Sequence, residues 1–112
     1  MPGASLPTFE IRESRTGDSV RLSLVGELDL ASSPLLEDRL ARLRATRSPV
    51  RLDLSKLAFI DSTGIRLLIR TIGDSRMKHW EVQIEHDVAP EVMRLFRLVR
   101  WDPFVVDGPA KA

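Results

Sequence analysis

The sequence predicts an α/β fold, a mixed sheet with helices mostly on one face, and three features of its patterning lead to that expectation. Residues 20–24, 50–54 and 80–84 each alternate apolar and polar side chains, as strands with one buried face do. Between and after them, apolar residues recur at helical spacing in Leu36, Leu40 and Leu43, in Ile65, Leu68, Ile69 and Ile72, and in Val92, Leu95, Phe96 and Val99. Strands joined through helices pair in parallel, whereas the turn-like Thr16-Gly17-Asp18-Ser19 allows an antiparallel opening hairpin, so both senses are expected in one sheet.

A short first strand over residues 9–13 leads through that turn to Val20, Leu22 and Leu24, and Gly26 is expected to end the second strand. Ser33-Pro34 marks a helix start, because serine can accept from an orphan amide and proline has none to lose at the first helical position. Ser48-Pro49 breaks the chain before a strand that carries Val50, Leu52 and Leu54 and runs into the apolar Leu57-Ala58-Phe59-Ile60. A second helix opens at Asp61-Ser62-Thr63-Gly64, with Arg66, Arg70 and Asp74 left for its outer faces. Trp80, Val82 and Ile84 form a further strand, Pro90 starts a third helix, and Phe104-Val105-Val106 adds a short last strand.

Composition bounds the function. With 112 residues, 43% hydrophobic and 29% charged, the chain builds one core. We read one domain over residues 9–106, with flexible ends at 1–8 and 107–112 rich in proline, glycine and small residues. Seventeen basic against sixteen acidic residues leave a formal charge of +1, so no global field favours nucleic acid or anionic lipid. Cysteine is absent, and two histidines, His79 and His86, do not complete a structural zinc site, so no metal or cofactor is expected. The first ten residues carry no apolar signal region, and no apolar run approaches the ~20 residues that cross a bilayer, so a cytoplasmic protein without membrane insertion is expected.

The chemistry concentrates where a buried strand ends at Ile60 and an amphipathic helix begins at Ile65. Asp61, Ser62, Thr63 and Gly64 then form the turn, with hydroxyls near the surface and the amides of the helix end facing outward, where they favour a negative charge. A phosphate on Ser62 would fit there without unfolding the domain, and Gly64 leaves room for a partner's backbone or serves the turn alone. The bland alternative is that Asp61, Ser62 and Thr63 simply cap the helix. Nucleophilic catalysis has less support: the string is not G-x-S-x-G, and no base for Ser62 is identified, so no enzyme is expected.

Two motifs in order, Gly26-Glu27-Leu28-Asp29 and Asp61-Ser62-Thr63-Gly64, together with the intervening helix that Pro34 starts, resemble the STAS domain family, and among its members the bacterial anti-sigma-factor antagonists. The likeness spans roughly residues 9–106. It implies a single domain with a central mixed sheet of four to five strands. It also implies that Ser62 is phosphorylated by an anti-sigma factor that is a serine kinase, with the ATP site on that partner and no cofactor here. The unphosphorylated form would bind the anti-sigma factor and free the sigma factor, and a phosphoserine phosphatase would reverse the modification. The resemblance further assigns Asp29 to partner recognition, where the residue alone reads equally as a turn aspartate bonding nearby amides. Asp61, Ser62, Thr63, Gly64 and Arg66 complete the expected partner surface. The family alternative is a nonphosphorylated STAS subunit bound to the ATPase of a lipid ABC transporter, or a signalling scaffold.

Two residues depart from the family pattern. Arg66 replaces a commonly small residue one turn from Ser62, where it either tunes partner choice or is a solvated helix-face arginine. Arg100 replaces a common glycine after the third helix, which requires either a left-handed residue or a different helix end. Arg94, Arg97 and Arg100 recur every three residues but read as a solvated face, given the near-zero net charge. Trp80 and Trp101 read as packing residues, and His79 and His86 as exposed polar ones.

Overall fold

A computed structural model describes residues 8–104. Of the flexible ends expected at 1–8 and 107–112, residues 1–7 and 107–112 lie outside the described residues, as do Val105 and Val106 of the expected last strand; Phe104 itself sits in a turn.

The elements are β1 (Phe9–Thr16), β2 (Ser19–Leu28), α1 (Ser33–Ala45), β3 (Val50–Asp53), β4 (Leu57–Ile60), α2 (Ser62–Met77), β5 (Val82–Ile84) and α3 (Pro90–Leu98). The sheet is mixed: β1 pairs antiparallel with β2, while β2 with β3, β2 with β4 and β3 with β5 are parallel. Its order is β1-β2-β3-β5. β3 and β4 lie end to end along one edge of β2, β3 against residues 20–23 and β4 against residues 26–28. The segment expected as one strand from Val50 to Ile60 is therefore two, separated by a turn at Ser55 and Lys56.

Gly26 does not end β2. It takes φ +101° and makes a bulge, a register shift between Gly26 and Glu27, after which the strand runs on to Leu28 beside β4. A bulge at this point lets one strand serve two successive partners.

Alternation sorts the faces. Val20, Leu22, Leu24, Val50, Leu52, Val82 and Ile84 are buried, and Leu36, Leu40 and Leu43 of α1 with Ile65, Leu68 and Ile72 of α2 complete the same core. Arg21, Arg51 and Gln83 project from the opposite, solvated face, in keeping with helices mostly on one side. In α2 the buried stripe is rotated from the expected one: Leu67, Thr71 and Ser75 turn inward while Ile69 is exposed. On α3, Val92 and Phe96 are fully buried, but Val99, which follows the helix as its C-cap, is exposed.

Two helix ends differ from the sequence expectation or settle it. Ser33 does not cap α1, because it is already helical and its buried hydroxyl has no partner; the cap position falls to Ser32. Arg100 adopts the left-handed conformation, φ 60°, and the amide of Trp101 bonds the Phe96 carbonyl at 3.0 Å, closing α3 as a glycine would at a cost of ~1 kcal/mol. Trp101 stacks edge-on against Phe96, and the indole nitrogen of the buried Trp80 donates to the Ser48 carbonyl, so both tryptophans are packing residues. Among the described residues no helix is long and apolar enough to cross a membrane.

The solvated face carries one buried charge. Asp53, 1% exposed, accepts from the Ser23 hydroxyl at 2.7 Å and from both the amide and the hydroxyl of Ser55, with Arg21 at 3.3 Å. Burial opposes its ionisation, but the Ser55 and Ser23 hydrogen bonds and the Arg21 charge outweigh burial and hold the carboxyl below its ordinary 3.8. Glu85 receives two hydrogen bonds from Arg21, each 2.8 Å, and these hold its carboxyl below its ordinary 4.5. Lowered folded-state values mean that the stability from both groups is present above their unfolded values and is lost as pH falls through the folded ones. Stability is therefore expected to decline below about pH 4.5. An Asp53→Asn variant should lose ~1–3 kcal/mol at neutral pH and show a shallower acid slope, and a slope equal to wild type in urea titrations from pH 3 to 7 would contradict the assignment.

Candidate functional site

The carboxyl ends of β2 and β4 lie side by side because Leu28 pairs with Ile60, and this brings the Asp29 turn next to the Asp61 turn. Parallel strands place functional loops at this end of a sheet. Asp61, half-buried and extended in backbone, caps α2. Its Oδ1 accepts from the amides of Thr63 at 2.9 Å and Gly64 at 3.0 Å, and its Oδ2 accepts from the amide of Leu30 at 3.1 Å. The Asp61 amide itself donates to the Leu28 carbonyl. One carboxylate thus ties the start of α2 to the loop before α1 and makes the two turns a single rigid surface.

Capping and exposure are therefore divided between neighbours. Asp61 caps, while Ser62 is the first residue of α2, exposed, and its hydroxyl makes no hydrogen bond among the described residues. Ser62, Thr63 and Gly64 belong to the first helical turn rather than to a loop ahead of it. The expectation that the helix amides stand free for an anion needs correction: those of Thr63 and Gly64 are already consumed by Asp61. Thr63 is half-buried beside Ser62.

Gly64 faces inward. A Cβ there would lie 2.7 Å from the Leu28 carbonyl oxygen and 2.8 Å from Ile60 Cγ1, so the missing side chain lets α2 close onto β2 and β4 and opens no room for a partner's backbone. Asp29 is half-buried, and its Oδ1 accepts from the amides of Ala31 and Ser32 and from the Ser32 hydroxyl. That hydroxyl also bonds the Glu27 carbonyl at 2.7 Å. Asp29 accordingly shapes the loop as a turn aspartate, close to Ser62 in space but with one oxygen committed to its own backbone.

Arg66 lies one turn along α2 from Ser62, exposed and without an ion pair or hydrogen bond among the described residues. Arg70, a further turn on, is held by Glu37 of α1 at 3.1 Å. Sequence reasoning missed Leu30 and Phe59. Leu30, 72% exposed, is fixed by the Asp61 bond, and Phe59, expected in the core, is 47% exposed because the β4 alternation breaks there. A large apolar residue inside a polar loop was the available signal for Leu30.

A concavity of about 380 Å³ lies beside Ile72, Trp80, Ile84 and Phe104, and one of about 500 Å³ lies between β4 and α3, beside Phe59, Leu95 and Leu98; neither is lined by Ser62. His79 follows the far end of α2, about 24 Å from Ser62 at 1.5 Å per residue, and His86 stacks on the Phe104 ring. Both histidines are exposed, as expected. Among the described residues no cluster of His, Cys, Asp or Glu could hold a metal ion.

A family model described as Mlab, STAS domain, matches residues 11–107. The anti-sigma-B factor antagonist of Bacillus subtilis (strain 168) is 24% identical over 79 residues, 70% of this chain and 72% of that protein. The crystal structure of an anti-sigma factor antagonist from Mycobacterium paratuberculosis is similar at TM-score 0.71 and 25% identity, over 87% of this chain and 83% of that one. The Bacillus cell fate determinant SpoIIAA in its phosphorylated form shares the fold at TM-score 0.66 and 17% identity, over 92% of this chain and 93% of that one.

Proposed function

The chain belongs to the STAS domain family, and from that premise we propose that it is an anti-sigma-factor antagonist, a binding module and not an enzyme, switched by phosphorylation of Ser62. Unphosphorylated, it binds an anti-sigma factor that is a serine kinase and releases the sigma factor. Phosphate on Ser62 switches that binding off, and a phosphoserine phosphatase resets it. The partner supplies the ATP, and the module works in the cytoplasm. Asp29, Asp61, Ser62, Thr63 and Arg66 form or shape the docking surface, and Gly64 holds the helix that presents it.

One observation carries this reading: Ser62 stands exposed with an uncommitted hydroxyl on a turn whose rigidity comes from its neighbour Asp61. A kinase can reach the hydroxyl, and its modification breaks no hydrogen bond that holds the fold. A phosphoserine brings about −1.5 to −2 charge, which must be desolvated in any close contact and repels carboxylates on a docked partner. Two relatives described as anti-sigma factor antagonists, and a same-fold neighbour solved in a phosphorylated form, support the role.

The test is phosphoryl transfer. Incubation with candidate serine-kinase anti-sigma factors and ATP is expected to add one phosphate, placed at Ser62 by mass spectrometry and absent in Ser62→Ala. No transfer from any candidate, together with stable copurification with a transporter ATPase, would replace this reading with that of a nonphosphorylated transporter subunit.

A further inference from the structure

We infer that Arg66 is an internal clasp for the phosphorylated form: its guanidinium folds back onto the phosphate of Ser62, so that modification both adds a dianion and withdraws a cation from the docking surface. This rests on the reading that Ser62 carries the phosphate. The argument starts from what the helix end cannot supply. The amides of Thr63 and Gly64, which would otherwise receive an anion, both donate to Asp61 Oδ1, and of the first turn only the amide of Ser62 remains without an acceptor among the described residues. The adjacent Asp61 carboxylate is a like charge. Beyond water and that one amide, a counter-charge for a phosphate on Ser62 has to come from a side chain.

The charged groups on the neighbouring elements are acidic or already paired. Glu27 at the end of β2 and Asp29 on the facing loop are acidic, Glu37 of α1 is joined to Arg70 at 3.1 Å, and Arg94 of α3, beside Ile60, is paired with Glu91. Arg66 is exposed and unengaged among the described residues, four positions after Ser62 on one continuous helix. Side chains on a helix lean toward its N-terminus, so a residue covers the turn before its own Cα, and residues four apart are neighbours at about 5–6 Å between Cβ atoms. For Arg66 the turn so covered begins at Ser62. An acid placed N-terminal to a base at this spacing is also the favourable order, and a guanidinium can bond a phosphate through two N–H groups at once. In the unmodified protein the same arginine is free to meet an acidic group of the partner.

The measurement is the second ionisation of the phosphate, followed by ³¹P NMR on full-length protein carrying phosphoserine installed at position 62 during translation, without any kinase. Its ordinary midpoint is about pH 6. In Arg66→Ala the midpoint is expected to rise by about 0.2–0.4 unit relative to the unsubstituted phosphoprotein, and to rise less in Arg66→Lys, which keeps the charge but not the fork. The difference should shrink in about 1 M salt, where the Debye length is about 3 Å. Alanine is the best helix former, so α2 should survive the substitution, as circular dichroism would verify. A midpoint unmoved by Arg66→Ala, or moved equally by Arg70→Ala, overturns the clasp. Because the phosphoserine is installed independently, failure of the clasp shows in this titration, whereas failure of the switch shows in the absence of kinase transfer to Ser62.

Discussion

Protein phosphorylated on Ser62 is expected to bind its anti-sigma partner about 10² to 10⁴ times more weakly than the unmodified form, with a melting temperature changed by no more than about 2 °C. The upper figure is what a complete switch requires, since moving a population from about 99% to 1% takes ~5.5 kcal/mol of differential free energy. A single dianion reaches that range only when it is held in a close, partly desolvated contact. The exposed Leu30 is bonded through its amide to Asp61, the residue before Ser62, so a partner that covers both Leu30 and Ser62 would supply such a contact. The small thermal effect follows from an unmodified hydroxyl that holds nothing in place. Titration calorimetry of both forms against the purified partner gives the ratio, and equal affinities would remove the switch.

Gly26→Ala is expected to destabilise the domain by more than ~3 kcal/mol, the largest stability effect we anticipate for a single methyl. The backbone there has φ +101°, and the added Cβ would lie 2.2 Å from the Thr8 carbonyl oxygen. Neither that carbonyl nor β2 can move cheaply, because the Glu27 amide donates to the same oxygen at 2.7 Å. Gly17 provides the control. It is also left-handed, at φ +61°, but a Cβ meets nothing within 4 Å, so Gly17→Ala should cost only ~1 kcal/mol. Urea unfolding of the two variants separates backbone collision from backbone conformation, and similar losses in both would mean that the bulge tolerates a side chain. The consequence reaches function, because the bulge is what delivers Leu28 and Asp29 to the side of β4 and Asp61.

Much of the architecture was legible because it is written in local periodicity. The alternation in β2, β3 and β5 and the apolar stripes of α1 and α2 depend on neighbours two to four positions apart, which are visible in any sequence. The misreadings share a cause. Local pattern makes Gly26 a strand end, residues 50–60 one strand and Ile69 core, and each of these depends on which distant segment lies alongside. A glycine that ends a strand and one that bulges it look alike until β4 is found beside residues 26–28. Ile69 fits the helical stripe, yet the face of α2 that carries Gly64 packs against Leu28 and Ile60 and leaves Ile69 at the surface.

The same division holds at the site. Sequence by itself determined the order of chemical groups at the head of α2: an acid that can cap, then a hydroxyl, then a glycine, then an arginine one turn away, together with a sheet-and-helix scaffold to hold them. These are relations between near neighbours. Tertiary structure alone decided that the second oxygen of Asp61 reaches Leu30, 31 positions earlier, that Gly64 turns inward, and that the amides of Thr63 and Gly64 are already spent. Those outcomes come from pairing the end of β2 with β4. No spacing along the chain encodes that pairing, because it is set by the free energy of closing distant strands over a common core.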